Sequence, residues 1–347
     1  MHIRPVDIGS DNDLARVHAL DVAANELGRP YATTWPLAEM TVTLRSPSST
    51  RRRELFAAED GGSLLGVGEL ELPLTDNPHL ADVHVFVHPD HRRAGVGTAL
   101  AAHLREIADA AGRRLATTWL PGRQLWDGAD PAAEEPAGER FARRCGMTLR
   151  NTNQHRVLEL PVDEAVLDRL AAEAAPHHEG YRIVGFAGAC PDEYVAAYCA
   201  LKAAMLSEAP MGDLEIDPEV WDEARLREEE AELDGMRRTR LSVFALTQDG
   251  EVAGFNELLH SVHDPGNAYN WDTLVVPEHR GHRLGLALKV ANLRRFQPDF
   301  PDARRVHTHN AAENGPMIAV NDRLGYFAVE EVGEWQGDVN GLPGAGT

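Results

Sequence analysis

Apolar and polar positions alternate along this chain in two successive passes of the same pattern. The short strand His2–Val6 opens the first pass and Tyr181–Phe186 the second. A helical stretch follows each. Asp11–Leu27 begins with Asp and Asn residues suited to capping, and Pro191–Ser207 begins with Pro and sets Tyr194, Ala197, Tyr198 and Leu201 at helical spacing. Two hairpins come next. Glu54–Ala58 turns through Asp60-Gly61-Gly62 into Leu64–Leu72, and Leu241–Leu246 turns through Asp249-Gly250 into Val252–Leu259. An Asp-Gly step between apolar runs signals a hairpin because glycine reaches positive φ without steric cost.

Each pass then has a strand ending at a proline, Val85-Phe86-Val87-His88-Pro89 and Thr273-Leu274-Val275-Val276-Pro277, and the two prolines stand 188 residues apart. An arginine-rich loop and a helix follow each proline. Val96, Leu100, Leu104 and Ile107 form the apolar stripe of one helix, and Leu284, Leu288 and Ala291 that of the other. Strands over Arg114–Trp119 and Arg305–His309, a short helix ending at Cys145-Gly146-Met147 or Leu324-Gly325-Tyr326, and a final strand close each copy. The pattern predicts two α/β domains, 1–160 and 181–335, with a helical linker over 161–180 and a tail over 336–347.

The 347 residues suit two domains of ordinary size, and 43% hydrophobic with 26% charged residues suits folded chains rather than disordered ones. With 34 basic against 55 acidic residues the formal charge is −21, which opposes non-specific binding to nucleic acid or an anionic membrane. Cys145, Cys190 and Cys199 are odd in number and lack metal-knuckle spacing. With no apolar signal segment at Met1–Asp7 and no membrane-length apolar run, a cytoplasmic location is expected. His84, His88 and His91 are spaced wrongly for one metal-binding face, so no metal is expected.

The chemistry gathers in the loops. Val87 through Thr98 takes a buried strand into a glycine-bearing turn and a helix N-terminus, where unpaired N–H groups and the helix dipole favour an anion. Arg92-x-x-Gly95-x-Gly97 resembles the R/Q-x-x-G-x-G/A motif of the GNAT superfamily of acyl-CoA-dependent N-acyltransferases. Taken with the order of elements, it identifies the chain as similar to a bacterial tandem GNAT protein. The resemblance implies two mostly antiparallel mixed sheets flanked by helices, acetyl-CoA as co-substrate, and transfer of acetyl to a primary amine of a small molecule. It assigns the co-substrate to Val85, Phe86, Val87, Arg92, Arg93, Ala94, Gly95, Val96, Gly97 and Thr98 in the first copy. In the second copy it assigns Leu274, Val275, Arg280, Gly281, His282, Arg283, Leu284, Gly285 and Leu286.

Arg283 stands where the first copy has Gly95. The expectation is that it adopts right-handed helical geometry, or points outward to pair with a phosphate. The segment His307–Tyr326 looks like the family's closing unit, in which Asn310 and Asn314 would face the co-substrate. Asn321 stands where many members carry a tyrosine that protonates the leaving thiolate, and the first copy has Ala142 there, after Phe141.

Acyl transfer to an amine needs a base and donors for the developing oxyanion, and the family usually supplies backbone N–H groups of the fourth strand for the latter. Asp272, Glu257 and His309 are the base candidates, in that order. The first copy offers Asp82, His84, Glu69 and Glu71. A division of labour is expected, with a good co-substrate cradle in the first half and the chemistry in the second. Glu208, Asp213 and Glu215 overhang the acceptor region, where a cationic amine would suit them. The sequence leaves open a non-catalytic acyl-CoA-binding protein, and it leaves the oligomeric state undetermined.

Overall fold

The computed structural model describes residues 1–130 and 134–344. In chain order the elements are β1 (His2–Pro5), α1 (Asp11–Asn25), α2 (Leu37–Arg45), β2 (Arg51–Asp60), β3 (Ser63–Pro73), β4 (Leu80–Val87), α3 (Val96–Ala110), β5 (Leu115–Gln124), α4 (Ala137–Arg144) and β6 (Thr148–Glu159). They continue with α5 (Glu164–Ala174), β7 (Arg182–Ala187), α6 (Val195–Glu208), α7 (Glu223–Gly235), β8 (Arg238–Leu246), β9 (Val252–Ser261), β10 (Asp264–Val275), α8 (Leu284–Asp299), β11 (Arg305–Ala311), α9 (Gly315–Leu324) and β12 (Phe327–Asp338). Local signals placed most of these. One differs in detail: the side chain that caps α1 is Ser10, which accepts from the Asp13 amide, rather than an Asp or Asn.

Two compact units result. Unit 1 comprises Met1–Thr152, Met211–Asp217 and the chain from Glu330 onward, and unit 2 comprises Asn153–Pro210 and Pro218–Val329. These are not the sequence repeats. Unit 1 orders its strands β1-β2-β3-β4-β5-β12, and unit 2 orders its strands β7-β8-β9-β10-β11-β6. Pairing is antiparallel throughout each unit except for the parallel pairs β4/β5 and β10/β11. The last strand in each unit's order therefore comes from the other repeat. Trp335 of β12 is buried with Cys145, Met147 and Leu104 in the core of unit 1, while Leu158 of β6 is buried with Val306, Leu324 and Tyr326 in unit 2. An antiparallel edge accepts any strand of matching alternation, so side-chain burial decides the partner.

The two segments expected as linker and tail are also built in. Leu167, Leu170 and Ala174 of α5 pack with Leu286, Val290 and Leu293 of α8, and Val339 and Leu342 are buried beside Trp335. Residues 345–347 of the expected tail, and 131–133 of the loop after β5, lie outside the described residues.

Candidate active site

Each unit has one place where its sheet opens. In unit 1 the parallel pair matches Leu80–Asp82 to Leu115–Thr117 and then stops, leaving Val85, Phe86 and Val87 paired to β3 on one edge only. In unit 2 the pairing stops at Tyr269 and His307, leaving Leu274 and Val275 paired to β9 only. The free edge of a strand presents unpaired N–H and C=O groups to the gap, a template for an extended amide-bearing chain. The open strand leads directly into the arginine–glycine loop in both units.

The loops share one backbone with two residues exchanged. Positions 93 and 95 are left-handed in unit 1, with Arg93 at φ 65° and Gly95 at φ 83°. In unit 2 the same two positions are Gly281 at φ 85° and Arg283 at φ 51°. Arg283 thus does not take right-handed geometry: the turn demands a left-handed residue there, whichever side chain is present. Its guanidinium does not stand free either, because it is hydrogen-bonded to the Glu173 carboxylate of α5, which Arg323 also engages. Neither α3 nor α8 has a side-chain cap. Their first-turn amides, Val96, Gly97 and Thr98 or Leu284, Gly285 and Leu286, are left for an external anion.

Arg92 and Arg280 hold these loops in shape. The Nε of Arg92 donates to the Val87 carbonyl at 3.3 Å and that of Arg280 to the Val275 carbonyl at 3.2 Å. The outer nitrogen of Arg92 donates to the Ala24 carbonyl, whereas that of Arg280 meets Glu208 at 2.5 Å. Space above the two helix starts differs. A Cβ on Gly97 would lie 3.5 Å from the Phe141 ring, and Cβ atoms on Gly281 or Gly285 would meet nothing within 4 Å. His282 bonds the His177 carbonyl at the flank of its loop, and Ala94 sits in the exposed part of the other.

At the opening in unit 2, β10 carries a bulge. Asn270 faces Leu258 and Thr273 faces Asn256, so Trp271 and Asp272 together oppose Glu257. A bulge leaves one residue out of the ladder and turns its peptide groups away from the neighbouring strand. The structure brings the two leading base candidates together here. Glu257 is fully buried and accepts from the Tyr198 hydroxyl. Lys202 Nζ lies 3.8 Å from Glu257 Oε2, 3.6 Å from Asp272 Oδ2 and 3.3 Å from Glu229 Oε1. Arg240 reaches Glu229, Glu230 and Glu257 at 2.7, 2.8 and 3.6 Å. Burial, followed by the neighbouring Asp272 charge, pushes the Glu257 carboxyl well above the usual carboxylate range. Asp272 keeps 29% of its side chain exposed and is the member of the pair that meets solvent.

His309, the third base candidate, lies on the far side of the opening. It is exposed and stacks on His155 of β6 at 4.6 Å. His155 in turn bonds His307 at 2.9 Å, and burial presses His307 down to about 3. The asparagines of the closing unit are engaged within the protein. Asn314 caps α9 by accepting from the Met317 amide, and Asn310 accepts from the fully buried Asn321 at 2.7 Å.

Unit 1 has no bulge at the corresponding place: Gly68–Glu71 pair with Asp82–Val85 in unbroken register. Glu69 lies opposite His84 and Glu71 opposite Asp82, four polar side chains on one face. Glu71 is matched by Arg53 at 2.6 Å and Arg51 at 3.2 Å. Burial pushes Asp82 and Asp21 of α1 each up to about 6, raises Glu69, and lowers His84. The acidic run expected to overhang an acceptor is divided between the units. Glu208 pairs with Arg280, Glu215 pairs with Arg114, and Asp213 bonds the Arg150 carbonyl through its amide.

Sequence reasoning missed Tyr198, Lys202, Glu229 and Arg240. Lys202 carried a signal, being one of only two lysines in the chain and placed on a helix with an apolar stripe. The bulge gave no such signal, because in the register of the two prolines Asn270 and Thr273 align with Asp82 and Val85 at equal spacing, and only the strand pairing shows the extra residue. Among the described residues no group of three or more His, Cys, Asp or Glu side chains could hold a metal ion, and no helix is long and apolar enough to cross a membrane.

The acetyltransferase (GNAT) family model matches residues 20–123 and again 203–326. The chain is 28% identical over 292 residues to a mycothiol acetyltransferase of Sanguibacter keddieii, covering 82% of this chain and 81% of that protein. It is 29% identical over 325 residues to one of Saccharomonospora viridis, with 90% and 92% covered. A tandem GNAT protein from the clavulanic acid biosynthesis pathway superposes with a TM-score of 0.77 at 28% identity, over 97% of this chain and 98% of that one. A GCN5-related N-acetyltransferase from Sphaerobacter thermophilus shares the fold, with a TM-score of 0.63 at 16% identity over 99% and 96% of the two chains. Two openings built alike, each entering a loop with uncapped helix amides, and two matches to one family lead to the same conclusion: the chain is a tandem member of the GNAT acetyltransferase family, an N-acetyltransferase.

Proposed function

We propose that the protein transfers acetyl from acetyl-CoA to a primary amine of a small molecule, and that unit 2 performs the transfer. The observation that carries this reading is the β10 bulge with Asp272, Glu257 and Lys202 gathered behind it, beside an uncapped helix. Leu284, Gly285 and Leu286 offer their amides to the diphosphate, in space that Gly281 and Gly285 leave open. The free edge of Leu274 and Val275 pairs with the pantetheine arm. The amides released by the bulge receive the thioester oxygen as negative charge develops on it.

The amine must lose a proton to attack the thioester carbon. Asp272, reachable from solvent, takes that proton, and Glu257 behind it accepts it onward, because burial and a second carboxylate raise its proton affinity above that of an ordinary carboxylate. Lys202 and Arg240 hold the pair together at low cost in repulsion. The C–S bond then breaks, and the thiolate takes its proton from water, since the Asn321 carboxamide is far too weak an acid to supply one and its N–H already bonds Asn310. Unit 1 retains the loop but not the bulge, and Phe141 lies over its helix start. Its role is to bind the carrier or to support the fold.

The acceptor of the mycothiol acetyltransferases is the first to test, followed by glucosamine, spermidine and amino-acid amides, in an assay of free CoA release. Turnover with one of these, lost in Asp272→Asn and Glu257→Gln and retained in Glu69→Gln, is the expected result. Turnover lost only in the unit 1 variant would reverse the assignment, and acetyl-CoA binding without turnover on any amine would leave a binding protein.

A further inference from the structure

The face of the unit 2 sheet that meets α8 is polar where a core should be apolar. Asn256, Asn270, Lys289 and Asn292 are all buried there, exposed to 1, 4, 3 and 0%. Their hydrogen bonds form one chain. Lys289 Nζ donates to Asn270 Oδ1 at 2.6 Å, Asn256 Nδ2 donates to the same oxygen at 3.1 Å, and Asn292 Nδ2 donates to Asn256 Oδ1 at 2.8 Å and to the Leu241 carbonyl at 3.0 Å. No carboxylate pairs with Lys289 among the described residues, and the Tyr326 ring lies 5.5 Å from its ammonium. Burying an ammonium without a countercharge is unfavourable, so this lysine works against stability.

What the chain encloses is the bulge. Asn270 precedes it, and Asn256 Nδ2 spans it, reaching Thr273 Oγ1 at 2.9 Å and the Asp272 carbonyl at 3.4 Å. Thr308 of β11 ties the Asn270 carbonyl at 3.0 Å from the other edge. Unit 1 supplies the control. At the positions of Asn256, Lys289 and Asn292 it has Gly68, Ala101 and Leu104, and at the position of Asn270 it has Val83. Those residues form an ordinary apolar contact, with a Cβ on Gly68 falling 3.1 Å from Leu104, and β4 there runs without a bulge. The polar chain and the bulge are present together in one unit and absent together in the other.

We propose that Lys289 is a positioning residue for acetyl transfer, acting through Asn270 and Asn256 to hold the β10 bulge so that its amides face the thioester oxygen. In its protonated form Lys289 also places a positive charge behind those amides, in a buried setting where charge is weakly screened. Misplacing oxyanion donors by a fraction of an ångström lowers turnover without touching the binding of the carrier. This inference rests on the assignment of catalysis to unit 2.

The test compares Lys289→Met, Lys289→Gln and Thr308→Val in the full chain, by acetyl-CoA-dependent CoA release with the best amine of the panel. Lys289→Met is expected to lower kcat about tenfold or more while KM for acetyl-CoA stays within twofold. Lys289→Gln, which retains a donor for Asn270 and loses the charge, should fall between it and the parent. Thr308→Val is nearly isosteric, and a fall in kcat of about threefold is expected if the bulge is held from both edges. It keeps the question open to experiment should Lys289→Met fail to fold. Unchanged kcat in the variants that fold, with Asp272→Asn inactive, overturns the positioning role and leaves the active unit assigned. Unchanged kcat in Asp272→Asn as well overturns the assignment of catalysis itself.

Discussion

Units 1 and 2 share an open strand, an arginine–glycine loop and an uncapped helix, yet they differ in what lies on either side of that strand. Behind β4 the sheet is sealed with Val83, Gly68 and Leu104, and behind β10 the same places hold Asn270, Asn256 and Asn292 with Lys289. In front of β4 stand half-buried Asp82, His84 and Glu69. In front of β10 a buried carboxyl and a partly exposed one share a lysine. Keeping the loop preserves a place for an anion. A bulge, buried charge and polar support are separate requirements, and only unit 2 meets them at one point.

The comparison breaks most directly at the carboxylates. Asp272→Asn is expected to lower kcat by about 10²–10³-fold, while Glu69→Gln and His84→Ala change it less than about threefold, as CoA release would show. Equal losses in both units would mean that both catalyse.

Lys289 sharpens the comparison through stability. Burial presses its pKa from the ordinary 10.5 to about 7. Between pH 7 and 10.5 the unfolded chain holds a proton that the folded one lacks, so stability rises with pH across that window, and below pH 7 the full cost remains. Lys289→Met should therefore gain on the order of a few kcal/mol at pH 7 and flatten that rise, as read from urea midpoints at several pH values. A variant that gains stability while losing turnover marks a residue kept for function.

Asp82 gives a smaller effect of opposite slope in unit 1. Its folded pKa of about 6 lies above the ordinary 3.8, so the folded state holds a proton that the unfolded state has released as pH rises from about 4 to 6. Stability falls across that window and stays lower above it. Asp82→Asn should recover about 1–2 kcal/mol at pH 7, after allowance for its partial exposure, and nothing at pH 3. Smallest is the exchange within the loops. Gly95→Ala should cost about 1 kcal/mol in unit 1, for adding a side chain at φ 83°. Arg283→Gly should come within ~0.5 kcal/mol of the parent, because the relief of its left-handed backbone is offset by the loss of the Glu173 contact.

Much of this was legible beforehand where the signal was local. The Asp-Gly turns, the prolines at 89 and 277 and the apolar stripes of α3 and α8 read directly as hairpins, strand ends and helices, and Asp272 and Glu257 stood out as carboxylates on neighbouring strands. The residue's own preference gives the wrong backbone for Arg283, because the loop's closure sets φ there. Glu208 and Glu215 read as groups to receive a cationic amine, and arginines distant in sequence pair with both.

The sequence by itself determined that one strand–loop–helix pattern occurs twice, because turn chemistry and periodicity depend on residues a few positions apart. Only the tertiary structure decided that β6 completes unit 2 and β12 completes unit 1, that Lys202 joins Glu257 to Asp272, and that Lys289 lies behind a bulge. Those are choices among chemically equivalent partners separated by tens to hundreds of residues. Burial and charge settle them when the chain packs, and no local preference encodes them.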